Sequence, residues 1–370
     1  MTRRTLTHGA SVLLALCFVA PAPIRGQEQT QEAVPSQVAT PAAHLTSESA
    51  DDGKLARWID VQNATLNLRY RFADNSEGVI TTNQLQHRES LRARLKFDAP
   101  GRYSLNFGIF TGVRFTSGWD NTGLGANPAQ KNLTFKALYV AAQPMRGLDV
   151  EAGGLYVIRG EATEVTTYDE DGYLMGQRIS VRRPDVSYFD EVSFTNAYFT
   201  SDPTQISVRN RFRHIDEPNY RQVLVRKLLA ERLSLSADLT IVDGATTWRQ
   251  AARVNVNQVI DGVLFENYQR TTQPTAYGVA VTASKSINTH VSVNGGFASI
   301  DTASGGLNAD RFNIGRRAFI MLTYSFSPEF LASAFVTTAV GRNEPLPQRT
   351  LTNIVFTYNA IPGLRRTGWF

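Results

Sequence analysis

The sequence predicts an all-β chain that forms a transmembrane antiparallel up-and-down β-barrel of about 14 strands, with roughly 12–16 possible. Strand-length segments alternate between apolar and basic residues, connection lengths alternate between short and long, and the N-terminus has the form of a secretory signal. In Asn67–Phe72, Leu68 and Tyr70 fall on one face of a strand, and Arg69 and Arg71 fall on the other. A membrane barrel turns its apolar face to lipid and its polar face to a lumen, whereas a soluble sandwich usually has a mixed-charge outer face.

Residues 1–26 are predicted to be a signal peptide. Arg3 and Arg4 form its basic start, and Ser11–Ala20 forms its apolar middle. We expect cleavage after Gly26, and a short anchoring helix is the alternative. The single cysteine, Cys17, lies in this segment, so the mature chain would carry no disulfide and no thiolate metal site.

Composition narrows the possible classes of protein. The chain has 370 residues, enough for one large barrel or two ordinary domains. No run of about 18 apolar residues follows the signal, which excludes a helical membrane protein. The net charge of +5 would fall to about +2 with removal of the three signal arginines, and export argues against a nucleic-acid partner.

Residues 27–62 are predicted to precede the barrel as a disordered tether and lead-in. Gln27–Lys54 is rich in Gln, Ala, Pro, Ser, Thr and acidic residues and contains few apolar ones. It lacks the heptad repeat of a coiled coil. Leu55–Val61, which contains Trp58, is predicted to be a short lead-in helix or plug.

Residues 63–370 are predicted to be the barrel domain. The predicted strands are 63–72, 84–97, 102–115, 132–143, 148–158, 185–200, 205–215, 220–228, 232–242, 275–284, 290–300, 311–326, 329–340 and 349–359. Residues 116–131 and 159–184 are predicted as loops, and 243–273 as an extracellular hairpin with an Asp-Gly turn. Short turns follow the even-numbered strands and longer connections mostly follow the odd ones, as in outer-membrane barrels.

Three ladders of arginine lie on the polar faces of these strands, at Arg69/Arg71, Arg88/Arg92/Arg94 and Arg209/Arg211/Arg213. With the signal peptide and the terminal Phe370, they resemble bacterial outer-membrane porins, particularly the alginate-export-like families, whose barrels carry arginines on the lumen side. The resemblance extends from residue 63 to the end and is one of architecture. It implies a bacterial outer-membrane location, contact with outer-membrane lipid and folding by the barrel-assembly machinery.

Strand parity places a set of cations on one polar wall: Arg69, Arg71, Arg88, Arg92, Arg94, Lys96, Arg102, Arg114, Lys136, Arg209, Arg211 and Arg213. A cationic pore concentrates anions, and the arginine fork suits carboxylate and phosphate. We therefore expect passive passage of small anionic or acidic-sugar solutes, including oligosaccharides. The alternative is that these arginines pair with acids, such as Asp169, Glu170 and Asp171, and stiffen the wall.

Two other function classes stay open. A non-conducting structural or adhesive barrel would bind through residues 159–184 and 243–273. A barrel hydrolase would need an acid–base pair, for which His214 with Asp216 is the candidate, whereas His87 and Glu89 share the apolar face. No Gly-x-Ser-x-Gly motif or metal-ligand spacing occurs, so we expect neither an enzyme nor a cofactor. The oligomeric state stays open.

Overall fold

The computed structural model describes residues 55–112, 118–161, 173–183, 188–256, 259–301, 303, 314–341 and 349–368. The predicted signal peptide and tether, up to residue 54, lie outside these ranges. The described segments are strands apart from two short α-helices and one 3-10 turn, and none of these helices is long and apolar enough to cross a membrane.

The strands, in chain order, are β1 (Ile59–Asp74), β2 (Ile80–Lys96), β3 (Tyr103–Thr111), β4 (Asp120–Gly125), β5 (Leu133–Met145), β6 (Leu148–Tyr156), β7 (Tyr173–Val181), β8 (Glu191–Phe199), β9 (Tyr220–Ala230), β10 (Leu233–Val242), β11 (Ala245–Asn255), β12 (Gly262–Arg270), β13 (Ala276–Ser286), β14 (Val291–Ile300), β15 (Gly315–Ser325), β16 (Phe330–Ala339) and β17 (Thr350–Asn359). The 3-10 turn is Pro203–Gln205, and the helices are α1 (Val208–Phe212) and α2 (Ile361–Arg366).

The sheet closes on itself. Consecutive strand positions pair antiparallel, and β17 pairs with β1, which places Phe356 opposite Leu68. Strands β3 and β4 share one position, because β2 pairs with β3 through Arg92 and Gly108 and with β4 through Gln86. The result is a closed antiparallel barrel of 16 strands, within the range that the sequence predicts.

The two faces of the wall are sorted by polarity, as strand β1 illustrates. Leu66 and Leu68 are 50% and 41% exposed on the outer face, whereas Arg69 is 2% exposed on the inner face. Successive side chains of a strand point to opposite sides, so the alternation of apolar and basic residues along β1 separates them onto the two faces of the wall. The sequence-based assignment of apolar residues outward and basic residues inward is therefore correct for β1 and β2.

The predicted strand 205–215 is wrong, because this segment is a 3-10 turn followed by α1. Asp202 caps the turn by accepting a hydrogen bond from the Thr204 amide, and Ser207 Oγ caps α1 by accepting from the Asn210 amide. Both caps are residue types that favour helix starts. The capping residues therefore decide the local structure. Arginines at alternate positions occur both in strands and in short helices, so they do not by themselves indicate a strand.

Three segments that the sequence predicts as loops or as an external hairpin contain strands of the barrel wall. Strand β7 lies within the predicted loop 159–184, β4 within the predicted loop 116–131, and β11 and β12 within the predicted extracellular hairpin 243–273. The hairpin is part of the barrel, pairing with β10 on one side and β13 on the other. Gains of β7, β11 and β12 and loss of strand 205–215 account for the difference between 14 predicted and 16 observed strands.

The two ends of the barrel differ. The turn end holds the start of β1, the end of β17 and short connections such as Arg146-Gly147 between β5 and β6. The loop end holds the connections after β3, β6, β8 and β14, although the Asp243-Gly244 turn there is also short. The predicted lead-in helix is absent from the described residues, because β1 already begins at Ile59. After the last strand, the chain forms α2.

Candidate functional site

The arginines of β1 and β2 lie on the inner face, where the sequence places them. Arg69, Arg71 and Arg88 are buried. Arg69 donates from Nε and Nη2 to Gln86 Oε1 at 2.9 and 2.6 Å, and its guanidinium lies 4.1 Å from the Trp119 ring centroid. These contacts hold the guanidinium in a fixed orientation on the wall.

Farther toward the turn end, the inner cations of β2 contact both rings and acids. The Arg92 guanidinium lies 4.7 Å from the Tyr156 ring centroid and 5.1 Å from that of Phe110. Arg94 pairs with Asp60 at 3.2 Å. Lys96 Nζ donates to the Ala56 carbonyl at 3.0 Å and so ties the lead-in residues to the wall.

Lys136 reaches the interior through a β-bulge. The register of β5 against β3 jumps between the pairs Gly108–Ala137 and Ile109–Phe135, so Lys136 is the extra residue of the bulge. Both Lys136 and Ala137 are consequently buried, and Lys136 Nζ donates to the Thr111 carbonyl at 2.8 Å.

The other predicted pore-lining residues do not form a wall ladder. Arg102 is exposed in the turn before β3, and Arg114 lies outside the described residues. Arg209 and Arg213 are exposed on or beside α1, so their assignment to an inner strand face is wrong.

Arg211 instead fastens α1 to β5 and β7. Its Nη1 donates to the Leu174 carbonyl at 2.8 Å, its Nη2 donates to the Lys136 carbonyl, and it lies over the Tyr173 ring. Burial, partly opposed by the Tyr173 hydroxyl, lowers the pKa of Arg211 to about 10. Arg211 is thus a structural cation rather than a free pore-lining one.

An ion-pair chain in the turn-end half of the interior was missed by the sequence analysis. The Arg182–Glu191 distance is 3.1 Å, Arg226–Glu191 is 3.3 Å, and Arg226–Glu161 is 2.8 Å. The chain alternates in sign through Asp149, Arg182, Glu191, Arg226, Glu161 and Arg253. The partners come from different strands and from residues after β6, so the alternation within any one strand does not indicate their pairing.

Two further pairs are buried in the same wall. Arg178 pairs with Glu151 at 2.8 Å, and Arg249 pairs with Asp238 at 2.9 Å. Each joins adjacent strands, β6 with β7 and β10 with β11. Acids on this side of the barrel therefore pair with arginines, but these arginines are not among the predicted pore-lining cations. The acids that the alternative named, Asp169, Glu170 and Asp171, lie outside the described residues.

Residues 157–161, which we call the inner segment, leave β6 and lie against β9, β10 and β11. Gln222 Nε2 donates to the Ile158 carbonyl at 3.1 Å, and the Glu161 amide donates to Ser236 Oγ at 2.8 Å. Gly160 has φ +60, and a Cβ there would come within 2.7 Å of the Ser236 side chain. The backbone is thus held on the inner wall at both ends of the segment.

The Glu161 side chain is the main polar anchor of the inner segment. Its Oε1 accepts from Arg226 and Ser234, both at 2.8 Å, and its Oε2 accepts from Arg253 at 3.0 Å. Burial acts to raise the pKa of Glu161, but the hydrogen bonds and positive charges of these arginines outweigh it and hold the pKa below its ordinary range. Glu161 is therefore ionised at neutral pH.

The interior carries an excess of positive charge among the described residues. Nine buried cationic side chains stand against six buried carboxylates in the barrel. The acids Glu151, Glu161, Glu191 and Asp238 all lie with arginine partners on the β6–β11 side. The inner face of β1 and β2 is consequently the more cationic region.

The opposite inner face, from β12 to β17, is mainly apolar near the loop end. Phe319, Phe335, Ile300 and Leu351 form one buried cluster there. Ala303 and Ile314, at the ends of the β14–β15 connection, pack against this cluster. The cluster is therefore a small apolar core that includes contacts from Ala303 and Ile314.

The two histidine candidates each lie beside a glutamate. His87 Nδ1 lies 2.9 Å from Glu89 Oε1 on the outer face, as parity predicts. His214 pairs with Glu217 at 2.8 Å, not with Asp216, and stacks on Tyr198. Within the described ranges, no three His, Cys, Asp or Glu residues are grouped so that they could hold a metal ion.

Comparisons with known proteins support the fold. No protein-family model and no curated protein matches the sequence. Among solved structures, one titled "Asymmetric conductivity of engineered proteins" superposes with a TM-score of 0.53 at 12% identity, and covers 81% of this chain and 99% of its own. A double mutant of the porin from Rhodopseudomonas blastica gives a TM-score of 0.54 at 10% identity over the same shares. At this identity, the similarity establishes the barrel architecture alone.

Proposed function

We propose that this chain is a bacterial outer-membrane channel of the porin type, which passes small solutes and prefers anionic or acidic-sugar ones. The observation that carries the proposal is the polarity of the closed wall, with exposed leucines outside and buried arginines inside. Exposed apolar side chains match a lipid surround, whereas a charge placed on that face costs about 2–4 kcal/mol at mid-membrane. An outer-membrane location follows from the same argument, with the barrel-assembly machinery as the expected folding partner.

The preference for anions rests on the sign of the interior charge. The described buried cations outnumber the buried carboxylates nine to six, and Arg69, Arg71 and Arg88 share one stretch of wall. A cationic wall in a low-dielectric surround raises the local concentration of anions. The fixed guanidinium planes on β1 and β2 suit carboxylate groups of acidic sugars.

The test is the reversal potential of the purified protein in a planar bilayer under a KCl gradient. We expect chloride to permeate more readily than potassium, and an Arg69→Gln/Arg71→Gln variant to lower that ratio. Arg102→Gln is the matched control, because Arg102 is an exposed cation in a turn outside the inner wall. Cation selectivity of the wild-type protein would overturn the anion preference.

A non-conducting structural barrel is the second candidate, favoured by one specific observation. The inner segment crosses to β9–β11, and inner residues at mid-wall such as Thr195, Gln222 and Arg249 are buried. A wide open pore would leave such residues in contact with water. If the folded protein shows no unitary conductance in a bilayer, this candidate is favoured and the channel proposal is refuted. Catalysis forms no part of either candidate.

A further inference from the structure

A groove lies on the outer face of the barrel at its turn end. It is a shallow depression of about 650 Å³, open to the surroundings, and is lined by Leu66, Glu329, Phe330, Tyr358 and Arg366. The three apolar members are exposed, and the Phe330 and Tyr358 rings pack with centroids 5.0 Å apart. Aromatic residues at a strand end are typical of the level where hydrocarbon meets headgroups.

Helix α2 forms one side of this groove. The Ala360 amide donates to the Ala64 carbonyl of β1 at 2.8 Å, which holds the start of the helix against β1. Gly363 lies close to Tyr358, since a Cβ there would be 3.9 Å from the tyrosine hydroxyl. Leu364 is partly buried, while Arg365 and Arg366 are exposed. The helix thus places Arg366 at the rim of an apolar surface, with the exposed Arg365 adjacent to it in the chain.

The rim carries a net positive charge. Arg366 Nη1 donates to Glu329 Oε1, and Glu329 Oε2 accepts from Ser327 Oγ at 2.9 Å. The hydrogen bond from Ser327, followed by that from Arg366, holds the pKa of Glu329 below its ordinary range. Arg366 therefore pairs with one carboxylate, and its 70% exposed side chain has donors left for a ligand, while Arg365, next to it in α2, is exposed as a second cation.

We propose that this groove is a binding site for one phospholipid of the leaflet at the turn end. An acyl chain covers Leu66, Phe330 and Tyr358, and the phosphate accepts hydrogen bonds from Arg365 and Arg366. An apolar surface bordered by exposed guanidinium groups is complementary to an acyl chain joined to an anionic headgroup. The inference rests on the proposed membrane location, but it requires neither an open lumen nor anion preference.

Native mass spectrometry of the detergent-solubilised protein with added phosphatidylglycerol tests the site. We expect one tightly retained lipid, and about 30-fold weaker retention in the Arg365→Gln/Arg366→Gln variant, since each arginine near a membrane surface contributes roughly fivefold. Arg102→Gln, in the neighbouring β2–β3 turn at the same end, should retain the lipid as the wild type does. The single variant Arg366→Lys should bind the lipid more tightly than the double variant and less tightly than the wild type, because lysine keeps the positive charge.

Several outcomes would overturn the site. The first is equal lipid retention in the wild type and the double variant, and the second is an equal loss of lipid in Arg102→Gln. The third is displacement of the lipid by millimolar inorganic phosphate. The fourth is that the wild type forms a dimer and retains no lipid, and that the double variant abolishes the dimer. Bilayer conductance of the same preparations separates the two proposals. Conducting protein without a retained lipid refutes the groove alone, and retained lipid without conductance refutes the channel alone.

Discussion

Replacing Glu161 by Gln should release the inner segment from the wall. The carboxylate accepts hydrogen bonds from Arg226, Ser234 and Arg253, which lie on three consecutive strands. Glutamine has nearly the same shape but carries no charge and only one acceptor oxygen. The substitution therefore weakens the anchor without opening space in the interior.

The size of the effect follows from the two arginine contacts. A hydrogen bond to a charged group contributes about 1.5–3 kcal/mol, and a neutral one about 1 kcal/mol. Arg226 and Arg253 are 30% and 36% exposed, so solvent screens part of the attraction. Arg226 also keeps Glu191 as a partner. We therefore expect a loss of about 2 kcal/mol, which raises the detached population of the segment about 30-fold.

Hydrogen exchange of the amides of residues 158–161, followed by mass spectrometry, measures this population directly. Glu151→Gln is the matched control, because Glu151 is equally buried but pairs with Arg178 within the wall. We expect faster exchange of the inner segment in Glu161→Gln alone. Single-channel recording should show the same variant with larger current fluctuations, since the segment lies within the barrel.

Equal exchange of the inner segment in the two variants would refute this reasoning, as would unchanged exchange in Glu161→Gln. Acid provides an independent check. Because the folded-state pKa of Glu161 is lowered, its stabilising contribution is complete above the ordinary glutamate range and is lost as the pH falls through the lowered value. The current fluctuations of the wild type should rise as the pH falls through that interval, whereas those of Glu161→Gln should not change with pH there.

Three further substitutions test other parts of the structure. Gly160→Ala should also loosen the inner segment, because φ +60 costs about 1–2 kcal/mol for a residue with a Cβ; faster proteolysis between β6 and β7 would report it. Leu68→Arg should destabilise folding into lipid vesicles by about 2–4 kcal/mol in urea titrations, whereas Leu68→Ala should cost less, and equal effects would contradict the outward assignment. Asp238→Asn should lower the free energy of unfolding by about 3–5 kcal/mol, because it removes the carboxylate that pairs with the buried Arg249. The double Asp238→Leu/Arg249→Leu variant should have nearly the stability of the wild type in the same titration.

The assignment of faces could be predicted from sequence for strands such as β1 and β2. Leu68 and Arg69 are neighbours in the chain, and a strand sends neighbours to opposite sides whatever its partners are. The high cost of charge in lipid then fixes which side is outside. These two local rules hold without any knowledge of how the barrel closes.

Which segments form strands of the barrel wall was harder to predict from the sequence. Strands β7, β11 and β12 contain polar residues on their inner faces, so their composition is close to that of loops. Pairing with neighbouring strands, such as that of Arg249 with Tyr268, stabilises them as wall. Segment 205–215 shows the opposite error, since the Asp202 and Ser207 caps favour helical turns over the strand that its arginines suggested.

The sequence by itself therefore determined a two-faced β-barrel with a basic interior, because side-chain alternation is a property of each strand alone. Only the tertiary structure decided which charges meet. Glu161 and Arg253 are 92 positions apart along the chain, yet they lie 3.0 Å apart within the barrel. Barrel closure and the return of the inner segment across β9–β11 create this contact, and neither is encoded in local periodicity.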